Sequence, residues 1–90
     1  MKYKLTETSK VVNGVTLFQI VCTESFGDVE KGDLGGWVES GDNLYQKGNC
    51  WVSGYARVSG KARVCGDARV SGYAKVCGDA RVDGNAWARS

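Results

Sequence analysis

The sequence predicts an all-β protein: a solenoid of three eighteen-residue coils over residues 37–90, behind an N-terminal β-hairpin cap and connecting loop in residues 1–36. Two observations predict this class. From Tyr55 onward the chain repeats every six residues as x-Ala-basic-Val-x-Gly, and counting back in the same frame gives nine hexads that begin at Trp37. Ahead of them, Asn13-Gly14 separates two β-rich segments, the pattern of a tight hairpin. We expect the two parts to form one integrated domain.

The N-terminal segment is expected to cap the solenoid, because an open end leaves backbone groups and core residues uncovered. Asn13-Gly14 favours a type I′ turn, and Phe26 and Leu34 can add apolar contact. Ser40 and Gln46 fall at positions that later hexads give to valine. We therefore expect the first coil to be irregular and to meet the cap.

The hexads themselves predict short strands joined by corners. Alanine and valine are separated by one residue, so both point to one side of an extended strand while the basic residue between them points to the other. Glycine at every sixth position suits a corner. Period six does not keep one helical face apolar, and collagen needs glycine at every third position. The predicted core is a valine column: Val52, Val58, Val64, Val70, Val76 and Val82.

These hexads resemble the hexapeptide-repeat left-handed β-helix, in which six residues make a face and eighteen make a triangular coil. That family usually places glycine directly after the aliphatic residue, whereas here it follows Val58 and Val64 by two, so a right-handed solenoid stays the alternative. The whole chain, with its opening KYKLTETSKVVNGVTLFQIV, its FGDVEKGDLGGWVES segment and its AxVxG repeats, resembles small phage and prophage accessory proteins. This second resemblance implies an origin in a mobile element.

Coils of eighteen residues place every third hexad in one column. On the first face this arithmetic stacks three aromatic residues beside Arg57 and Lys75, a composition typical of interaction hot spots. On the third face it places Arg69 between Trp51 and Trp87 as a cation–π sandwich. The alternative is that the columns only stabilise the fold. The candidate protein-binding residues are Trp37, Tyr55, Tyr73, Arg57 and Lys75.

The last hexad departs from the repeat, since Trp87 replaces the basic residue and Ala88 replaces valine. Either Trp87 folds over the open end of the solenoid or two molecules stack there. We expect the second arrangement, a homodimer or higher oligomer formed through the C-terminal coil, because a bare strand edge invites pairing.

The residue inventory argues against catalysis. Histidine is absent, so the histidine base typical of hexapeptide-repeat acyltransferases has no counterpart here. No C-x-x-C pair is present, and we expect no catalytic residues, no metal and no cofactor. The four cysteines are expected to be reduced, with the reactivity of Cys65 and Cys77 left open. An ice-binding role would need flat arrays of short polar residues, which the columns lack.

The partner is therefore expected to be a macromolecule. No segment matches a signal peptide or a membrane span, which predicts the bacterial host cytoplasm and no membrane contact. We expect a host protein as partner, and the phage resemblance suggests that it belongs to a defence system. The alternative is a nucleic acid, with single-stranded bases stacked on the aromatic–basic face. It is disfavoured because the basic residues are distributed over three faces.

Overall fold

The structure, a computed structural model, describes residues 1–89 and is nearly all β, which confirms the predicted solenoid class. One 3-10 turn spans Gly41–Asn43. The described residues include no helix with the length and apolar character needed to cross a membrane. The strands are Tyr3–Val12 (β1), Val15–Cys22 (β2), Leu34–Val38 (β3), Trp51–Val52 (β4), Arg57–Val58 (β5), Arg63–Val64 (β6), Arg69–Val70 (β7), Lys75–Val76 (β8), Arg81–Val82 (β9) and Trp87–Ala88 (β10).

Parallel pairing stacks the short strands into three walls. The first wall contains β3, β5 and β8, and the third contains β4, β7 and β10. The second wall contains β6 and β9. Leu44 forms an isolated parallel β-bridge with Val64 of β6 and extends this wall on its N-terminal side. In the third wall Trp51 pairs with Arg69, which pairs in turn with Trp87. These partners are eighteen residues apart, as the hexads predict.

The first coil of the solenoid, which forms its first layer, is longer than predicted. Trp37 pairs with Arg57 and Leu44 pairs with Val64, so partners here are twenty residues apart. The spacing returns to eighteen at Gly48, which lies against Gly66, so the two extra residues fall within Tyr45–Lys47. Val38 pairs with Val58, and together with Leu44 it takes a valine position. The predicted placement of Ser40 and Gln46 at those positions is therefore wrong, although the first layer is irregular as expected.

The core runs along the solenoid between the three walls. The corner glycines that let the walls meet, from Gly48 to Gly84, all have a φ between 60° and 78°, a left-handed conformation that disfavours any other residue. Alternate burial along each strand follows the hexad, with valine inside and the basic residue outside. Five of the predicted core valines are buried and Val82 is partly exposed; the buried ones are Val52, Val58, Val64, Val70 and Val76.

The hairpin of β1 and β2 extends the first wall. Asn13 and Gly14 both have positive φ, at 53° and 82°, as a type I′ turn requires. Strand β2 pairs antiparallel with β3, so β1, β2, β3, β5 and β8 form one continuous sheet. Tyr3 and Ile20 are fully buried in the common core. The hairpin and the hexads thus share one core.

Polar side chains fasten the cap to the first layer. The Lys2 Nζ atom donates to the carbonyls of Cys50 at 2.8 Å and Gly48 at 3.1 Å, and burial lowers the pKa of this amine. The Gln46 Oε1 atom accepts from the Lys2 backbone N–H at 2.9 Å, and its Nε2 atom donates to the Tyr3 carbonyl at 3.2 Å. Gln46, which lies in the segment that contains the two extra residues, therefore holds the N-terminus.

The opposite end of the described solenoid is uncovered. Ala80 and Ala86 are exposed, although the equivalent alanines of earlier hexads are buried. Trp87 is 67% exposed and Ala88 is partly buried. Trp87 is in register with Arg69, on the outer side of the third wall, so it leaves Ala80 and Ala86 exposed.

Candidate functional site

The outer surface of the first wall carries an exposed tyrosine pair. The Tyr55 and Tyr73 rings stack with centroids 5.1 Å apart and planes 5° from parallel. They are 62% and 68% exposed, so the stack is not part of the core. Their positions are fixed by the wall, because the Tyr55 backbone N–H donates to the Gly72 carbonyl at 3.0 Å. The prediction that Tyr55 and Tyr73, eighteen residues apart, stack in one column is confirmed. The wall holds the two rings in a fixed position.

Trp37 does not belong to that aromatic column. Because the first layer spans twenty residues, Trp37 lies in register with Arg57 instead of Tyr55. Its ring is half-buried, and the Lys10 Nζ atom of β1 lies 4.2 Å from the ring centroid. The predicted stack of three aromatic residues is therefore wrong: Trp37 is next to the tyrosine pair but partly covered by the cap.

Arg57 and Lys75 follow Trp37 along the same column. They occupy the same position in successive layers of the first wall, two residues after Tyr55 and Tyr73. Arg57 is half-buried and Lys75 is exposed. Within residues 1–89 neither cation forms an ion pair with a carboxylate. The site thus consists of a stacked aromatic pair beside two positive charges that no acidic side chain neutralises.

The hairpin turn forms one edge of this site. Val12, Val15 and Leu17 approach the outer side of the first wall next to Arg57 and Lys75, leaving a groove of about 140 Å³. The Cys77 side chain also lines it. The sequence predicted the hairpin but not this groove, since a turn motif does not indicate which surface a hairpin leans on.

The third wall differs from its prediction. Arg69 lies in register between Trp51 and Trp87 as predicted, but its Nη2 atom contacts Asp28 Oδ1 at 2.6 Å, and this ion pair lowers the pKa of the Asp28 carboxyl. Trp51 is buried at 4% exposure and packs edge-on against Phe26, with centroids 5.5 Å apart. The loop after β2 therefore covers Trp51 and pairs its Asp28 carboxylate with Arg69.

The remaining charges and thiols form no further cluster. Arg63 and Arg81 pair on the second wall, and Arg63 donates to the Tyr45 hydroxyl at 3.2 Å. The basic residues of the hexads are thus spread over all three walls. Cys65 is partly buried and Cys77 is exposed, and in residues 1–89 no group of His, Cys, Asp or Glu side chains could hold a metal ion.

The fold and this surface define a β-solenoid repeat protein, and the comparisons agree. Residues 62–77 match the family model described as YdcK Beta solenoid repeat. The chain is also similar to a protein named uncharacterized acetyltransferase YdcK from Escherichia coli (strain K12), with 34% identity over 77 residues. That match covers 69% of this chain and 24% of the relative. The chain thus spans about a quarter of the length of the relative it matches.

Proposed function

We propose that this protein is a non-enzymatic interaction module that binds a host bacterial protein through the exposed outer surface of the first wall. The observation that carries the proposal is the Tyr55–Tyr73 stack, exposed beside Arg57 and Lys75. Tyrosine and arginine are enriched at interface hot spots, and a side chain already held by stacking loses little entropy on binding. Trp37 contributes only the part of its ring that the cap leaves open.

A pull-down from host lysate tests this proposal, with captured proteins identified by mass spectrometry. A double substitution, Tyr55→Ala with Tyr73→Ala, removes the stack, and Tyr45→Ala on the second wall is the matched control because Tyr45 is also exposed, at 39%. We expect the control to retain the partner and the double variant to bind at least about 30-fold more weakly, since a hot-spot tyrosine contributes about 2 kcal/mol or more. Equal capture by both variants would rule out this surface as the binding site.

The biological setting is part of the same proposal. The chain resembles phage and prophage accessory proteins, and we propose that it acts in the host cytoplasm by inhibiting a host protein, with a defence factor as the specific case. The solenoid is proposed to be left-handed with three coils, by its resemblance to hexapeptide repeats. Expression in a host that carries the captured factor, followed by an assay of that factor's activity, tests the inhibitory role; unchanged activity would contradict it.

We also propose that two or more copies associate through the open C-terminal end. Ala80 and Ala86 are exposed there, and β8, β9 and β10 are edge strands of their walls. Light scattering at two protein concentrations measures this association. We expect a mass above the monomer that falls when Ala86→Lys adds charge to the exposed end, whereas Lys61→Ala on the outer surface leaves it unchanged.

Acyl transfer is a second candidate function, and the name of the Escherichia coli relative is the observation that favours it. The absence of histidine argues against it, because acyltransferases of this repeat class typically use a histidine base. An assay for free thiol released from acetyl-coenzyme A, with small amines as acceptors, separates the two functions. Turnover above the uncatalysed rate would replace the non-enzymatic proposal.

Nucleic-acid binding is the remaining alternative. The tyrosine stack beside two cations is the arrangement that single-stranded bases use, but its platform has two rings instead of the three predicted. A titration with a single-stranded oligonucleotide at low and high salt tests it. Binding that weakens steeply with salt and is lost in the double tyrosine variant would favour nucleic acid over protein as the partner.

A further inference from the structure

The groove between the hairpin turn and the first wall has the composition of a small-molecule site. Its hairpin side presents Val12, Val15 and Leu17, and its wall side presents Arg57 and Lys75. Leu17 is buried at 2% exposure but is not part of the main core cluster, so it forms an apolar floor outside the solenoid. The groove therefore joins an apolar surface to a cationic one.

The two cations of this groove are free to bind an anion. Arg57 and Lys75 are register partners in adjacent parallel strands, so their Cα atoms lie about 4.8 Å apart and one anionic group can contact both. No carboxylate lines the groove among the described residues, and neither cation has an ion-pair partner there. Arg69 occupies the same hexad position on the third wall, and it does have an ion-pair partner, Asp28. The groove therefore carries two adjacent positive charges that no carboxylate of the described residues offsets.

The size of the groove limits what can occupy it. Its volume is about 140 Å³, well below the roughly 300–1,000 Å³ of pockets that bind drug-sized ligands. A short aliphatic chain fills such a volume against Val12, Val15 and Leu17, while its charged end reaches the cations. A large polyanion would contact only the rim.

We propose that this groove binds a small organic anion, a carboxylate carried on a short aliphatic chain. Arg57 and Lys75 hold the carboxylate through charge-assisted hydrogen bonds, and the hairpin valines with Leu17 cover the chain. This site goes beyond the partner-binding proposal and stands without it, because it needs only the purified chain. A ligand bound here would also occupy part of the surface beside the tyrosine pair.

Cys77 provides the readout. Its thiol lines the groove, whereas the Cys65 thiol belongs to the second wall and serves as an internal control in the same molecule. The experiment measures the rate of N-ethylmaleimide addition to each cysteine by mass spectrometry, with and without hexanoate. We expect hexanoate at ten times its Kd to slow Cys77 about ten-fold and to leave Cys65 unchanged.

Two further probes test the chemistry of the ligand. Hexanol has the same chain without the charge, and inorganic phosphate has charge without the chain; we expect neither to protect Cys77 at the concentration where hexanoate does. Equal protection by hexanol or by phosphate would overturn the proposal, as would protection of Cys65 to the same extent. These comparisons use the unaltered protein, so they do not depend on the folding of any variant.

Matched variants test the residues. Arg57→Gln with Lys75→Gln removes the groove cations, and Arg63→Gln with Arg81→Gln removes the register partners at the same hexad position on the second wall. We expect the first variant to lose protection by roughly ten-fold or more and the second to retain it, because charge-assisted hydrogen bonds carry most of the affinity. Equal protection in both variants would show that these cations do not bind the ligand.

Discussion

At the N-terminal end of the solenoid, side chains seal the core, whereas at the C-terminal end the same core is open. Lys2 and Gln46 connect the hairpin to the first layer by hydrogen bonds, and Tyr3 fills the interior. In the last described layer, Ala80 and Ala86 are exposed and Val82 is only partly buried. This difference shows that a hexad is buried by the layer stacked on it. Its contribution to the free energy of unfolding therefore depends on whether another layer follows.

The largest expected effect comes from placing a charge in the two environments. Val70→Asp puts a carboxylate in a fully buried position, which costs several kcal/mol and is comparable to the total stability of a small domain. Val82→Asp places the same group at the partly exposed end, where water solvates it. We expect the first variant to be unfolded at 25 °C and the second to remain folded, as measured by circular dichroism and urea denaturation. Similar losses in both would mean that the last layer is as enclosed as the middle.

The corner glycines sharpen the comparison. A Cβ atom on Gly48 would lie 2.5 Å from the Gly66 carbonyl oxygen, whereas a Cβ atom on Gly84 meets nothing within 4 Å. Both glycines have positive φ, so Gly84→Ala still costs about 1–2 kcal/mol from backbone strain alone. Gly48→Ala adds a backbone clash and is expected to cost about 3 kcal/mol or more in urea denaturation. A smaller loss for Gly48→Ala than for Gly84→Ala would contradict the layer packing.

The smallest of these effects is a pH dependence at the sealed end. Burial raises the pKa of Tyr3 to about 12, and its hydroxyl contacts the Leu44 carbonyl. The unfolded chain releases this proton near pH 10, so the stabilisation is complete below that pH and is lost as the pH rises towards 12, by up to about 2–3 kcal/mol. Tyr3→Phe lacks this titration. The lowered pKa of Lys2 acts in the opposite direction in both proteins, so the difference between them isolates Tyr3.

Urea denaturation from about pH 9 to about pH 11.5 measures that difference. We expect Tyr3→Phe to be less stable than the unaltered protein by about 1–2 kcal/mol at the lower pH, because it loses a buried hydrogen bond. The gap should shrink as the pH rises. Two parallel stability curves would show that Tyr3 does not stay protonated in the folded state.

The repeat made most of the solenoid predictable. The Ala-x-Val spacing identifies the inward side chains, and eighteen-residue arithmetic places Tyr55 over Tyr73. It fails for Trp37, because the two extra residues within Tyr45–Lys47 carry no signature in a frame counted backwards from the regular hexads. Their reason is tertiary, since Gln46 binds the N-terminal backbone. A local pattern cannot report a contact with a segment more than forty residues away.

The groove and the contact between Arg69 and Asp28 could not be predicted from the sequence for the same reason. Asn13-Gly14 predicts a turn, but the direction in which the hairpin leans depends on the twist of the five-stranded sheet. Arg69 contacts Asp28 only because the loop after β2 covers Trp51. Sequence reasoning placed aromatic and basic residues on the outer surface, and the structure changes which of them are neighbours.

The Lys2 contact also has a consequence for the order of folding. Strands β1 and β2 are complete once residue 22 has been made, yet the carbonyl that Lys2 binds belongs to Cys50. During synthesis the hairpin can therefore close early, but it cannot dock until the chain has more than doubled in length. Later layers then add by local contacts on a surface that is already formed, so the slow step of assembly is expected to be the seating of the N-terminus rather than the winding of the repeats.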